Sequence, residues 1–307
     1  MTSSVNAAGE IVPPAPVSAE PLVWVNGEPQ KDARVSVHDR GLTLADGLFE
    51  TLHVKGGNAF RLDRHLARLG RGLAAIEIAY PVALGSWLEF ALTKASVQRF
   101  GGEAGLRITV TRGAGPAGVG IPADATPTVV MTLSAMPRFP GIYEKGLAVH
   151  VASGRRNERA MTAGLKTLAY TDAVAALLEA RRAGADEALF LDTDGHCSEA
   201  TASNLFIWTG SSLLTPPMSC GALSGITREA VIELASTKGL ETVERTCTLQ
   251  DLLDAREAFL TSSLRGLAPV VRVGDAAIGA GVPGAVTATL TAAYRALVDR
   301  ECGTLTA

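Results

Sequence analysis

Gly164-Leu165-Lys166-Thr167-Leu168-Ala169-Tyr170 sets one lysine among small and apolar neighbours, and Lys166 is the only lysine between Lys145 and Lys238. A lysine shielded from water has a lowered pKa and can form a Schiff base with a carbonyl compound. Read alone, the segment fits an ordinary solvated lysine as well. Two further stretches change its meaning. Ser224-Gly225-Ile226-Thr227-Arg228 opens a helical pattern, with consecutive backbone N–H groups and a hydroxyl at its positive end, a cradle suited to a phosphate dianion. Ser224 also fits a plain N-cap. Glu199, in Cys197-Ser198-Glu199-Ala200-Thr201-Ala202-Ser203-Asn204, is a carboxylate among small residues leading into an apolar strand.

Outward from these stretches, strands and helices mix without a regular βαβ repeat, the pattern of an α+β fold. Upstream, the strand 22–25 runs into Asn26-Gly27, a pair that supplies the positive φ angles of a type I′ turn. Leu62, Leu66, Leu69, Leu73 and Ile76 form a helical stripe; a second helix fits 86–100, and strands fit 106–111 and 128–133. Met136-Pro137-Arg138-Phe139-Pro140-Gly141 breaks the pattern. It divides a small N-terminal domain, 21–139, from a larger one, 140–307, with an Ala/Ser/Pro-rich disordered tail at 1–20. Downstream, strands fit 146–153, 188–191, 204–208 and 258–261. A helix fits 171–182 with Val174, Leu177 and Leu178 on one face, another fits 227–238 closed by Gly239, and a last one fits 285–300. Thr248-Leu249-Gln250-Asp251 reads as a capping box before a short helix. Gly113-Ala114-Gly115-Pro116-Ala117-Gly118 matches a dinucleotide fingerprint literally, but Pro122 and Pro127 follow and no helix can open there, so it reads as a loop.

Composition narrows the class. With 47% hydrophobic and 19% charged residues in 307, the chain is globular, and a net charge of −3 excludes a general affinity for nucleic acid. No apolar run approaches the ~20 residues that span a bilayer, so no membrane partner is expected. Four cysteines without a CxxC and only five histidines argue against a metal site and for a reducing cytoplasm.

A Schiff-base lysine, an acid to hold a ring nitrogen protonated and a phosphate-binding helix end are together the parts of a pyridoxal 5′-phosphate (PLP) site. At these residues the sequence resembles the class IV, or fold-type IV, PLP enzymes: branched-chain aminotransferases, D-amino-acid transaminases, (R)-selective amine transaminases and 4-amino-4-deoxychorismate lyases. The resemblance extends from about Trp24 to Val273. It includes Ser36-Val37-His38-Asp39-Arg40-Gly41, Ala45-Asp46-Gly47-Leu48-Phe49-Glu50-Thr51 and Arg61-Leu62-Asp63-Arg64-His65-Leu66-Ala67-Arg68-Leu69 as well as the stretches above. It implies a two-domain α+β fold, a small α/β domain followed by a larger β-barrel-like domain with flanking helices. It implies that Lys166 carries PLP as an internal aldimine and shuttles the proton, and that Glu199 pairs with the pyridine nitrogen. Arg68, otherwise a surface helix arginine, would bind the phosphate with Ile226, Thr227 and Ser263; Leu223 would lie against the ring, and Tyr170 would contact its phenolic oxygen.

Departures from the family pattern concern the substrate. The Arg-x-His carboxylate trap of D-amino-acid transaminases falls on Ala117 and Val119, and the basic residue that commonly follows Phe-Glu-x-x is His53. The Tyr-x-Arg strand signature of branched-chain enzymes keeps only Arg107. Arg112, Arg138 and Arg265 remain as candidate carboxylate partners, although each fits a structural or solvated role better. The resulting expectation is a homodimeric aminotransferase acting between an amino acid or amine and a 2-oxo acid. The alternative is an aminodeoxychorismate lyase that eliminates pyruvate. The loop 113–120 or residues 42–48 would approach the other subunit's cofactor.

Overall fold

The computed structural model describes residues 4–5, 11–12 and 20–303. The tail expected at 1–20 therefore lies almost wholly outside the described residues; within it, Ser4–Val5 and Ile11–Val12 pair as short antiparallel strands.

The first sheet has six antiparallel strands in the order Glu28–Gln30, Leu22–Val25, Thr128–Ala135, Glu103–Thr111, Gly47–Lys55 and Asn58–Ala59. Asn26 and Gly27 turn the first hairpin at φ 50° and 83°, as their types demand. Alternation along the two central strands gives the sheet two unlike faces. Leu48, Leu52, Val54, Ala104, Leu106, Ile108 and Val110 point into a core closed by Leu69 and Leu73 of the helix Leu62–Ala75 and by Leu84 and Leu88 of the helix Leu84–Ala91. Phe49, Thr51, His53 and Lys55 occupy the other phase, opposite Thr109, Arg107, Gly105 and Glu103. That second face looks toward the rest of the chain.

The second sheet has nine strands and closes on itself. Cys197–Ala200 pairs both with Glu187–Asp192 and, through Glu199 and Asn204, with Asn204–Trp208. Six strands thus form a ring, running on through Leu147–Arg156, Gly266–Val273 and Glu257–Ser262. This is the α+β, barrel-like architecture implied by the sequence resemblance. The helices Ile226–Thr237 and Ala285–Cys302 cover one side over Phe206, Phe259 and Leu267.

Two helical expectations need correction. The stretch 86–100 is two helices, Leu84–Ala91 and Lys94–Gln98, because Thr93 leaves helical geometry and caps the second by accepting from the Ser96 amide. The helix Thr171–Arg182 buries Ala173, Ala176 and Ala180, whereas Val174 and Leu178 are exposed. Small side chains let this helix lie close on the strands Leu147–Arg156 and Glu187–Asp192, near Ala152 and Ala188. The glycine run after Thr111 is a loop, as expected, but it is tied down: Arg40 Nη1 donates to the carbonyls of Gly118 and Gly120, each at 3.0 Å.

Leu52 is wholly enclosed between the first sheet and its helices. Leu52→Ala should cost about 2–5 kcal/mol, read from a lowered denaturant midpoint at unchanged slope.

Candidate active site

The strand Gly47–Lys55 of the first sheet pairs briefly with the segment that connects Leu147–Arg156 to the helix Thr171–Arg182. Phe49 donates its amide to the Lys166 carbonyl at 3.0 Å, and the Leu168 amide donates to the Gly47 carbonyl at 3.1 Å. Lys166 is thereby fixed against the site-facing phase of the first sheet. Its Nζ lies 4.4 Å from the Phe49 ring centroid and donates to Tyr170 Oη at 3.3 Å. Phe49 and Tyr170 pack edge to face at 5.1 Å. Burial, reinforced by the positive charge of Arg68, pushes the Lys166 pKa down to about 8.

Lys166 opens into a cavity of about 400 Å³ that Arg68, Tyr170, Leu223, Ile226, Thr227 and Ser263 also line. Glu199 stands behind it, on a small adjoining cavity that Lys166, Tyr170 and Leu223 share. One Glu199 oxygen accepts from the Leu223 amide at 2.9 Å, and the other lies 3.1 Å from Arg156 Nη2. Burial raises the Glu199 pKa against the pull of Arg156, so this carboxylate would gain from a further cationic partner. Every residue singled out from the sequence as catalytic or cofactor-binding thus lies on one of these two adjoining cavities.

Arg68 is held more firmly than a surface arginine. Its Nε and Nη2 fork onto Glu50 at 2.8 and 2.6 Å, and Nη1 donates to the Ser224 carbonyl at 2.7 Å. Glu50 also meets His65 Nδ1 at 2.7 Å. Burial opposes the charge on Glu50, but Arg68 and then His65 keep its carboxyl below the usual range. Glu50 and His65 stand in the family-like stretches of the sequence without a task of their own. The signal was present: Glu50 shares the buried phase of its strand with Leu48, Leu52 and Val54. A carboxylate there needs a cation, and His65 and Arg68 sit three residues apart on the facing helix.

Gly225 precedes the helix Ile226–Thr237, and no side chain caps its first amides. Ser224 is therefore not the N-cap. A Cβ at Gly225 would stand 2.0 Å from Asn204 Oδ1, so only glycine fits. Asn204 holds the approach to this helix by donating to the Leu223 carbonyl at 2.8 Å. Thr261, opposite Asn204 in the barrel, lines the main cavity, and its Oγ1 is buried with no hydrogen-bond partner.

The candidate arginines fall into structural, solvated and cavity-lining roles. Arg112 is committed to Asp46 and to the carbonyls of Ile76 and Glu77. Arg138 is exposed, and Arg265 lines a neighbouring cavity. Arg107 lines the main cavity, its guanidinium 3.7 Å from the Phe49 ring centroid, and no carboxylate pairs with it among the described residues.

Residues 47–273 match the family model Amino-transferase class IV. The chain is 34% identical to a putative branched-chain-amino-acid aminotransferase of Methanocaldococcus jannaschii, over 89% of this chain and 95% of that protein. It superposes on the crystal structure of 4-amino-4-deoxychorismate lyase from Pseudomonas aeruginosa with a TM-score of 0.80 at 32% identity, covering 90% of this chain and 98% of that one. A T.th. branched-chain amino acid aminotransferase with pyridoxamine 5′-phosphate matches with a TM-score of 0.82 at 28% identity, covering 92% and 94%. PLP is the cofactor of the family, and the residues here fit it. The uncapped helix end, the orphaned Thr261 hydroxyl and Arg68 suit a phosphate, while Glu199 suits a protonated ring nitrogen and Lys166 an aldehyde.

Two outcomes follow from this geometry. Glu50→Gln removes the charge that orients Arg68, and the loss of a charged hydrogen-bond pair worth roughly 1.5–3 kcal/mol should weaken PLP binding about tenfold or more, measured by equilibrium dialysis. In protein prepared without cofactor, Lys166 titrates at about 8 when folded and near 10.5 when unfolded. The unfolded chain therefore holds more protons between those values, and stability rises with pH through that window. Lys166→Met should be more stable than the wild type at pH 7, by at most about 3 kcal/mol, and the gap should close toward pH 10 in urea titrations.

Proposed function

The chain belongs to amino-transferase class IV, and on that premise we propose that it transfers an amino group between an amino acid or amine and a 2-oxo acid, with Lys166 as the residue that holds PLP covalently. The observation that carries this reading is Lys166 Nζ, lowered to about 8 and facing the same cavity as Arg68 and the uncapped helix end. When bound, PLP supplies an aldehyde that condenses with amines and a ring that withdraws the electron pair left at the amino carbon.

The protein's own groups divide the remaining work. Arg68, the amides of Ile226 and Thr227 and the hydroxyls of Thr261 and Ser263 bind the phosphate. Glu199 keeps the ring nitrogen protonated. Leu223 packs on the ring, and Tyr170 orients Lys166 through their hydrogen bond. Freed by the incoming amine, Lys166 Nζ takes the proton from the donor α-carbon and returns it on the other side of the exchange. A pKa near neutrality suits both directions. Arg107 is the cation best placed for the substrate carboxylate next to the reacting carbon.

The lyase reading draws on the likeness to the Pseudomonas aeruginosa enzyme. It would use the same Lys166 and Glu199 but release pyruvate. Mixing holoenzyme with L- and D-amino acids, (R)-amines and aminodeoxychorismate separates the two. Conversion of the cofactor to its amine form, seen by absorbance, supports transamination, and pyruvate release without that conversion overturns it. Lys166→Ala should abolish turnover while PLP still binds noncovalently. Glu199→Gln should keep the cofactor and slow proton abstraction at least tenfold, seen in single-turnover kinetics.

The site is proposed to work in a homodimer. Val35, Val37, Leu42, Leu44, Val119 and Ile121 are exposed, and Arg40 ties the segments that carry them together. An apolar surface of this kind is suited to a second copy of the chain. A fully active species sedimenting as a monomer would refute the assignment. No helix among the described residues is long and apolar enough to cross a membrane.

A further inference from the structure

The face that presents Phe49, Thr51 and Arg107 to the main cavity continues beyond it. His53 and Lys55 follow Thr51 on the same phase, opposite Gly105 and Glu103. They floor a second cavity of about 380 Å³. Ser263 and Leu264, in the turn between the strands Glu257–Ser262 and Gly266–Val273, line both spaces. Leu264 rests on Gly105: a Cβ there would come within 3.1 Å of Leu264 Cδ1. A serine and one flexible apolar side chain over a bare stretch of sheet therefore form the partition between the two cavities, closed where Leu264 lies on Gly105.

The charges in the second cavity are unevenly spent. At its outer side Lys55 is held by Glu103 at 2.7 Å and Asp299 at 2.5 Å, and His53 Nε2 lies 3.5 Å from Glu103. The two arginines are less committed. Arg265 pairs with Glu187 through Nη1 at 3.1 Å and lies 4.9 Å from the Phe139 ring centroid, yet its Nε is buried without a hydrogen-bond partner. Arg295 lies 4.8 Å from the Tyr143 ring centroid, with no ion-pair partner among the described residues. Tyr143 Oη in turn donates to the Arg265 carbonyl at 2.5 Å. Beyond this partition stand two guanidinium groups braced on aromatic rings, one of them with an unsatisfied N–H.

Resting on the transaminase reading, we propose that this second cavity receives the distal acid group of the substrate. The preferred donors and acceptors are then straight-chain α-amino and α-oxo diacids whose second carboxylate lies several methylenes beyond the reacting carbon. Leu264 turns off Gly105 to admit the methylenes, and the distal carboxylate meets Arg265 and Arg295. A monoacid of the same length fills the opened partition but leaves the arginine donors unanswered, which is the basis of discrimination.

The test uses holoenzyme and two series matched in length: 2-aminoadipate and 2-aminopimelate against norleucine and 2-aminoheptanoate. Cofactor conversion reports kcat/KM, and calorimetry reports the binding of pimelate against heptanoate. The wild type should favour the diacids at least tenfold, about 1.4 kcal/mol, in both measurements. Arg295→Gln removes an exposed residue with no ion pair, so the fold should survive. It should cancel most of the diacid preference while leaving the monoacid rates unchanged. Leu264→Phe, which enlarges the partition, should raise KM for the longer diacids more than for alanine. Equal or reversed preference in an enzyme that converts its cofactor overturns the diacid pocket and leaves the transaminase reading intact. So does a loss in Arg295→Gln shared equally by both series. If no donor converts the cofactor, the transaminase reading fails, and calorimetry alone decides whether the cavity selects diacids.

Discussion

Two backbone hydrogen bonds, from Phe49 to the Lys166 carbonyl and from Leu168 to the Gly47 carbonyl, join the first sheet to the segment that leaves the barrel strand Leu147–Arg156 and carries the lysine. Lys166 is consequently positioned by main-chain bonds to the first sheet as well as by the contacts of its own side chain with Phe49 and Tyr170. The same strand then works on both faces. Phe49 and Thr51 shape the cavity wall, while Glu50 reaches through to the facing helix and fixes Arg68. A one-residue slip of this strand would exchange the two faces, burying Phe49 and Thr51 in the core and turning Glu50 away from Arg68.

The barrel supplies the complementary half. Its ring closes at the pairing of Glu199 with Asn204, so closure and site assembly are the same event. Glu199 accepts from the Leu223 amide, Asn204 donates to the Leu223 carbonyl, and Gly225 passes under Asn204 too closely for any side chain. These contacts aim the first amides of the helix Ile226–Thr237 into the cavity. Positive groups consequently gather there, and the Lys166 ammonium is disfavoured by burial and by Arg68 together. The lowered pKa of Lys166 is a consequence of this enclosure.

Substrate selection falls to the face of the first sheet that the core does not use. Along it, Arg107, Gly105 and Glu103 stand opposite Thr51, His53 and Lys55, giving a floor that runs from one cavity to the next. Family membership describes the chemistry at the lysine end of this floor. The proposed diacid pocket lies at its far end.

By itself the sequence determined the elements with strong local signals. Asn26-Gly27 turns as its dihedral preferences require, Thr248 and Asp251 form their capping box, and the leucine stripe of Leu62–Ala75 packs against the first sheet. The glycine run after Thr111 stays a loop, and the chemical types of Lys166 and Glu199 pointed to the site they line, whereas Arg68 was singled out only by the family resemblance. Tertiary structure decided what depends on long-range pairing. Alanines rather than leucines became the buried face of Thr171–Arg182, and Asp46 claimed Arg112 while Arg107 was left facing the cavity. Glu50 and His65 gained their tasks only when a strand and a helix fifteen residues apart were brought together. Periodicity and capping are set within a few residues along the chain. Which cation meets which carboxylate is set by strand register and sheet closure, and these are fixed only when the whole core is packed.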